Sequence, residues 1–146
     1  MIRLMTIEDY DKVYALWASL PGIGLHAHEE DSREGMAYYL RRNPDSCFVA
    51  EENGAIIGAV LFGNDGRRGY INHLAVAQEH QGRGIAKALL NAGLAVMRRE
   101  GIAKCSLMVF RNNEAGNAFW DTVGSPRRDE VIYRNLSTEE IALKDA

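Results

Sequence analysis

Apolar residues along the chain follow two spacings, and each spacing predicts one kind of secondary structure. In four segments they recur every three or four residues, as on one face of a helix. These segments are residues 6–18, 32–40, 85–100 and 112–124. Elsewhere, β-branched and aromatic residues form short runs bounded by turn-forming residues, which predicts strands. These runs are residues 2–5, the two halves of 47–63, 69–76, 104–110 and 130–136.

The order of these segments predicts an α/β fold, β-α-α-β-β-β-α-β-α-β, built around one mixed sheet. Asn53-Gly54 favours a hairpin between the second and third strands, and residues 64–66 favour another turn, so this half should be antiparallel. The helix of residues 85–100 lies between two strands, which predicts a right-handed crossover to a parallel strand. A length of 146 residues suits one domain, residues 1–146.

Composition and charge exclude several classes of function. A net charge of −3 argues against a broad nucleic-acid surface, which needs a basic excess. No apolar run is long enough for a transmembrane helix, and the acidic residues near the start do not resemble a signal peptide. Cys47 and Cys105 each lie in a strand-like run and are expected to be buried free thiols of a cytoplasmic protein.

The segment HQGRGIAKALL, residues 80–90, joins a glycine-rich loop to the third predicted helix. The first N–H groups of a helix have no intrahelical acceptor and lie at the positive end of its dipole, so they attract anions. Glycine lets several N–H groups point to one place, and Arg83 or Lys87 can add charge. The residues concerned are Gln81, Gly82, Arg83, Gly84, Ile85, Ala86 and Lys87. A turn that merely joins strand to helix has the same spacing.

Two other nucleotide-binding motifs are excluded. The chain lacks the Gly-Lys-Ser/Thr end of a P-loop, and Lys87 stands where the dinucleotide motif needs its third glycine.

Residues 74–90, LAVAQEHQGRGIAKALL, closely resemble the acetyl-coenzyme A motif of the GNAT N-acetyltransferase superfamily. Gln81, Gly84 and Ala86 match the pattern Gln/Arg-x-x-Gly-x-Gly/Ala of that family. Residues 112–124, NNEAGNAFWDTVG, resemble a helix of its second half, with Asn113 and Gly124 at the fixed points. The predicted order of elements is also the family's order, so the resemblance covers nearly the whole chain.

The resemblance implies acetyl-coenzyme A as co-substrate, no metal, and direct transfer of the acetyl group to an amine. Pantetheine is expected between the fourth strand and a parallel strand that splays from it, bonded to the backbone of Leu74, Ala75 and Val76. The pyrophosphate is expected on the N–H groups of residues 82–87. Asn113 is expected to contact the cofactor, to cap its helix, or both.

The sequence departs from the family at both positions that handle protons. Many members carry a glutamate on the fourth strand, but the alternating positions 70, 72, 74 and 76 of this chain hold no carboxylate. His73 is predicted to point to the opposite face unless a β-bulge intervenes. Trp120 stands where the family usually has a tyrosine that donates a proton to the leaving group. The candidates for catalysis are Asn72 holding a water, His73, Tyr133 and Tyr70.

The resemblance also places the acceptor over residues 22–32, GIGLHAHEEDS. Acidic residues here favour a cationic amine, and a histidine could serve as the missing base. The candidates are His26, His28, Glu29 and Glu30. A solvated acidic loop is the alternative, and the spacing of His26, His28 and Glu29 also suits a metal, although no further ligand cluster accompanies it.

These observations predict an acetyl-coenzyme A-dependent N-acetyltransferase that acts on a small molecule or on a protein amine. A different acyl donor or an oxygen acceptor is a second possibility. A third is a sensor that binds coenzyme A without catalysis, because the usual glutamate and tyrosine are missing. No nucleic-acid or membrane partner is expected, and since the family is often dimeric, a homodimer stays open.

Overall fold

The computed structural model describes residues 1–138 and divides the chain into two units, Met1–Phe110 and Arg111–Ala146. The first unit contains five strands and three α-helices. In chain order they are β1 (Ile2–Leu4), α1 (Tyr10–Ala18), α2 (Arg33–Arg42), β2 (Cys47–Glu52), β3 (Ala55–Asn64), β4 (Gly69–Val76), α3 (Ile85–Arg99) and β5 (Cys105–Ser106). The second unit contains α4 (Glu114–Thr122). No helix within residues 1–138 has the length and apolar character needed to cross a bilayer.

The strands form one mixed sheet in the order β1-β2-β3-β4-β5. The first four strands are antiparallel neighbours, and β2 and β3 form the hairpin predicted at Asn53-Gly54, where both residues have positive φ. β5 pairs with β4 in parallel after the crossover through α3. The predicted α/β class and the mixed sheet are therefore confirmed. That the whole chain forms one domain stays a prediction.

Helices cover both faces of the sheet. Ala59 and Leu61 of β3 belong to a buried cluster with Trp17 of α1, which is 0% exposed. The alternate residues of β3 face α3, because Gly58 lies against Leu89 and a methyl group on Gly93 would overlap the Phe62 ring. The α1 and α2 side and the α3 side are therefore two distinct faces.

Arg3 fastens the start of the chain to the first helix. Its guanidinium donates to both carboxylate oxygens of Asp9 at 2.8 and 2.9 Å and also reaches Glu51 on β2. Asp9 in turn accepts the N–H of Thr6 at 2.9 Å, the return bond of a capping box. The sheet edge and the entry into α1 are thus held by one charged network.

Three sequence-based predictions need correction. Residues 104–110 form a strand at Cys105–Ser106 alone, and residues 130–136 form no strand but an exposed, irregular segment. A strand needs a partner edge for its N–H and C=O groups, and apolar alternation alone does not provide one. Cys105 is half-buried rather than buried, whereas Cys47 is buried and burial raises the pKa of its thiol to about 12.

Substitution of Gly93 tests the contact between α3 and the sheet. Alanine normally favours a helix interior over glycine by about 0.5–1 kcal/mol. Because the added methyl group would overlap the buried Phe62 ring, we expect Gly93→Ala instead to lower the free energy of unfolding by about 1–3 kcal/mol. Urea denaturation measures the change. Asn91→Ala, at an exposed position of the same helix, is the control and should not destabilise; a stabilised Gly93→Ala protein would contradict this packing.

Candidate active site

One extra residue interrupts the alternation of β4. Ala75 pairs with Ala59 of β3 and Asn72 pairs with Leu61, so Val60 alone stands opposite His73 and Leu74. His73 has a φ of 51°, which is unusual for a residue with a side chain. This geometry is a β-bulge, the exception that the sequence left open for His73.

The bulge turns His73 to the α1 and α2 face. Its ring meets the Trp17 ring edge-on at a centroid distance of 4.8 Å, and its Nε2 lies 2.9 Å from Oδ1 of Asp31. Asn72 shares this face, since its partner Leu61 lies in the cluster around Trp17. Val76 faces α3, as its partner Gly58 does, so the predicted common face of residues 70, 72, 74 and 76 is wrong.

Asp31 is a buried carboxylate with a partner for each oxygen. It is 2% exposed; Oδ1 lies against His73, and Oδ2 accepts the N–H of His26 at 2.9 Å. Burial raises the pKa of Asp31, but hydrogen bonds from His73 and from the His26 N–H outweigh it and keep the pKa below its ordinary value. The resulting stabilisation is present above the unfolded-state pKa of about 3.9 and is lost as the pH falls through the lower folded-state pKa.

The α1–α2 loop, residues 19–32, is folded tightly onto the start of α2. Ser32 caps α2 by accepting the N–H of Gly35 at 3.0 Å, and its hydroxyl donates to the Glu29 carbonyl at 2.7 Å. Gly35 has no side chain because a Cβ there would lie 2.6 Å from the Glu29 carbonyl oxygen. The other candidates in this loop, His26, His28, Glu29 and Glu30, are exposed.

Three of these exposed residues come close together. One ligand atom each from His26, Glu29 and Glu30 lies within 4.8 Å of the others. The predicted metal spacing included His28, which is not part of this group. Exposed acidic groups commonly cluster without an ion, so we assign no metal to the loop.

The start of α3 has the backbone conformation expected of an anion site. Gly82 and Gly84 have φ values of 83° and 81°, in the left-handed region that glycine adopts readily. A Cβ built on either would meet no atom within 4 Å, so the space above the loop is open. Ile85 and Ala86 supply the next N–H groups, and the first intrahelical bond joins the Ala88 N–H to the Gly84 carbonyl.

The two polar side chains before this helix are bonded to the protein itself. Gln81 donates to the Val76 carbonyl at 3.1 Å and so joins the loop to the end of β4. Arg83 donates to Glu52 of β2 at 2.7 Å and lies 2.7 Å from His80 Nδ1. Both Arg83 and Glu52 line a cavity of about 210 Å³. Lys87 is exposed and forms no ion pair within residues 1–138, so it is the cation available at the helix start.

The parallel pairing of β4 with β5 is short and leaves a gap in the strand pairing along the rest of β4. The two strands pair at Gly69 with Cys105 and at Tyr70 with Ser106, and beyond these residues β4 continues to Val76 without a strand of the described sheet on that side. The predicted splayed strand pair is thus confirmed. Leu74, Ala75 and Val76 border the gap, although the Val76 carbonyl already accepts Gln81.

The remaining proton-transfer candidates lie in different surroundings. The exposed Tyr70 donates to Asp65 at 3.1 Å, and this hydrogen bond raises the pKa of its phenol. Asn72 lies next to the Tyr39 hydroxyl. Burial raises the pKa of Tyr39 to about 12, and the neighbouring Asn72 side chain lowers this pKa by a smaller amount. Tyr133, in the second unit, is exposed in the irregular segment.

Asn113 caps α4 by accepting the Gly116 N–H at 2.9 Å, as one of its predicted roles requires.

Comparisons with known proteins bear on this arrangement. The sequence model of the acetyltransferase (GNAT) family matches residues 10–124. The chain belongs to this family. The acetyltransferase SG1711 of Sodalis glossinidius is 30% identical over 131 residues, which cover 90% of each chain. The acetyltransferase ECA0875 of Pectobacterium atrosepticum is 35% identical over 114 residues, or 78% of this chain and 79% of that one.

Solved structures of related enzymes share the fold. The PaiA N-acetyltransferase of Thermoplasma acidophilum, solved in complex with coenzyme A, superposes with a TM-score of 0.70 at 22% identity, covering 85% of this chain and 87% of that chain. Ard1 of Thermoplasma volcanium gives a TM-score of 0.71 at 22% identity over 85% and 80% of the two chains. The family match therefore makes this protein an N-acetyltransferase of the GNAT type, a class of enzyme that uses a coenzyme A thioester.

Asp31 is the site residue that the sequence analysis missed. It was grouped with the acidic neighbours Glu29 and Glu30, and no pattern distinguishes the buried carboxylate from the two exposed ones. The alternation of apolar residues likewise gives no indication of the bulge that brings His73 to Asp31. Asp31 directly precedes the helix cap Ser32, but this position does not by itself predict a buried side chain.

Substitution of Gly84 in the acetyltransferase tests the open space at the start of α3. We expect Gly84→Val to weaken coenzyme A binding about tenfold or more, measured by titration calorimetry, because its side chain would occupy the space a phosphate needs. Gly101→Val is the matched control: Gly101 has a φ of 78° and equally open surroundings at the other end of α3. Both variants bear a backbone strain of about 1–2 kcal/mol, so equal loss of affinity in both would contradict a specific role for Gly84.

Proposed function

We propose that the acetyltransferase transfers an acetyl group from acetyl-coenzyme A directly to a primary amine on a small molecule or a protein. The observation that carries this proposal is the position of His73. The bulge directs its ring to the face covered by the α1–α2 loop, three residues before β4 ends and leads into the glycine-rich start of α3. A group able to accept a proton therefore lies beside a backbone suited to a thioester cofactor.

The proposed cofactor site consists of the β4–β5 gap and the start of α3. Pantetheine would bond the backbone of Leu74, Ala75 and Val76, and the pyrophosphate would lie on the N–H groups that follow Gly82 and Gly84. Lys87 would add a charge-assisted contact, since Arg83 already pairs with Glu52. Bound acetyl-coenzyme A would supply the activated acetyl group. Asn113 and Tyr133 keep their predicted roles as proposals.

His73 is the proposed general base. An alkyl amine has a pKa of about 10.4, so it is mostly protonated at neutral pH and must lose a proton before it attacks the thioester. In the proposed step the ammonium first loses one proton to solvent. The neutral nitrogen then bonds to the thioester carbon, its second proton passes to His73, directly or through a water held by Asn72, and the C–S bond breaks. A backbone N–H near Leu74 would stabilise the charge on the carbonyl oxygen.

The departing thiolate needs little assistance. A thiol of ordinary pKa, about 8.5, is a good leaving group compared with an alkoxide. Tyr70 is a poor proton donor for it, because the bond to Asp65 raises the pKa of its phenol. We therefore propose that water returns the proton to the thiolate.

The acceptor is proposed to be cationic as it approaches. Glu29 and Glu30 are exposed on the α1–α2 loop, the same loop that carries Asp31 to His73. Exposed carboxylates attract a positively charged amine at a distance and do not hold it tightly. Two free cysteines within the described residues support a reducing, cytoplasmic setting.

A panel of acceptors tests the proposed function. We expect the protein to consume acetyl-coenzyme A with at least one primary amine, and cationic polyamines to react faster than neutral amines at low ionic strength, with the difference shrinking at high salt. Release of free thiol, followed by mass spectrometry of the product, measures the reaction. Tight binding of acetyl-coenzyme A without turnover of any amine would contradict the proposal and would favour a sensor.

Substitution of His73 tests the base. We expect His73→Gln to lower kcat by about 10²–10⁴-fold, the usual contribution of a general base. The increase of kcat/KM with pH should flatten at the same time. Coenzyme A affinity, measured by calorimetry, should stay at the wild-type value and so show that the site is still folded. A His73→Gln enzyme with the wild-type rate would exclude His73 as the base.

A further inference from the structure

We infer that Asp31 is a positioning residue that fixes the tautomer of His73 and leaves Nδ1 as the atom that accepts the amine proton. This inference deepens the proposed function and rests on His73 being the base. It assigns a role to a buried residue of the α1–α2 loop that makes no direct contact with the reacting atoms.

The carboxylate of Asp31 is held from two sides. Oδ1 lies 2.9 Å from His73 Nε2, and Oδ2 accepts the His26 N–H at 2.9 Å. The main-chain carbonyl of Asp31 also accepts the Tyr10 hydroxyl of α1 at 2.7 Å. Because the backbone and both carboxylate oxygens have partners, the side chain cannot turn away from His73 without breaking a bond to another part of the protein.

The partners of Asp31 decide which nitrogen of His73 carries hydrogen. An ionised carboxylate accepts hydrogen bonds and donates none, so a bond at 2.9 Å requires the hydrogen to be on Nε2. A neutral imidazole has one N–H group, and its other nitrogen then carries a lone pair. The free lone pair is therefore on Nδ1.

The surroundings of the ring agree with this assignment. The Trp17 ring lies edge-on against it at 4.8 Å, with an angle of 63° between the planes, and restricts its rotation. The His73 side chain is 19% exposed whereas that of Asp31 is 3% exposed. Since Nε2 is directed to the buried carboxylate and the side chain is partly exposed, we expect the exposed part of the ring to include Nδ1, which can then receive a proton.

The charge of Asp31 also suits the step itself. When the amine N–H bond breaks and its proton moves to Nδ1, His73 becomes an imidazolium with both nitrogens protonated. The carboxylate stabilises this cation at hydrogen-bonding distance until the proton passes through water to the coenzyme A thiolate. No oxidant, metal or further reactant is needed for the balance.

Replacing Asp31 by asparagine should reverse the tautomer. The amide oxygen of asparagine must face the His26 N–H, which can only donate, so the NH₂ group would face His73. Nε2 would then have to accept, the hydrogen would move to Nδ1, and the lone pair needed for the reaction would be lost. We expect kcat of Asp31→Asn to fall by about 10²–10⁴-fold, as for loss of the base, while KM for acetyl-coenzyme A changes little.

Nitrogen NMR of protein labelled with ¹⁵N in histidine tests the inference without activity. We expect the neutral ring of His73 to show its hydrogen on Nε2 in the wild-type enzyme and on Nδ1 in Asp31→Asn, with assignment by comparison with His73→Gln. A wild-type ring with its hydrogen on Nδ1 would overturn the inference, and this measurement does not depend on whether the variant folds.

Asp11→Asn is the matched control for the kinetic comparison. It removes one carboxylate from an α1 side chain that is 91% exposed and should leave kcat and the His73 tautomer unchanged. The two proposals can fail separately. If His73→Gln is as fast as the wild type, the base of the proposed function is wrong. If His73→Gln is slow but Asp31→Asn keeps the wild-type kcat and tautomer, Asp31 does not position His73.

Discussion

The geometry of the site depends on a single extra residue in β4, where His73 and Leu74 together face Val60. Without it, His73 would point to the α3 face, away from the α1–α2 loop, and Asp31 would be a buried carboxylate without its imidazole partner. A buried carboxylate that loses one of its two hydrogen-bond partners is unfavourable, so this conformation of the loop would be destabilised. The bulge therefore determines the orientation of the imidazole and also makes burial of Asp31 tolerable.

The bond between Asp31 and His73 joins two parts of the chain that are 42 residues apart. The α1–α2 loop packs Leu20, Ile23 and Leu25 against the core cluster and exposes residues 26–30. It is also held by the Ser32 cap, the Tyr10 hydroxyl and this bond. Its carboxylates consequently differ in their surroundings: Asp31 is buried and hydrogen-bonded on both oxygens, while Glu29 and Glu30 face solvent and contribute to the potential outside. On the proposed mechanism, a change in this loop would therefore also affect His73.

Local signals predicted most of the fold, because they depend on neighbours in the sequence. Asn53-Gly54 predicted the hairpin, the apolar spacing of residues 32–40 predicted a helix, and Gly82 and Gly84 predicted a loop that directs N–H groups to one place. The bulge could not be predicted, since it depends on the register of β3 against β4, nor could the burial of Asp31, which depends on where the bulge places His73. The strand predicted over residues 130–136 was wrong for a related reason: its pattern does not by itself supply a partner strand, and residues 130–136 pair with none of the described strands.

The absence of the family's glutamate does not by itself imply loss of catalysis. A site that only bound a cofactor would be as stable with an apolar pair of similar volume in place of Asp31 and His73, because burial of two polar groups recovers little net stability. Histidine bonded to a buried carboxylate differs from such a pair in one property, that its ring can accept a proton and release it again. The arrangement on β4 therefore supports the proposal that His73 acts as the base and that the α1–α2 loop supplies its counter-charge through Asp31.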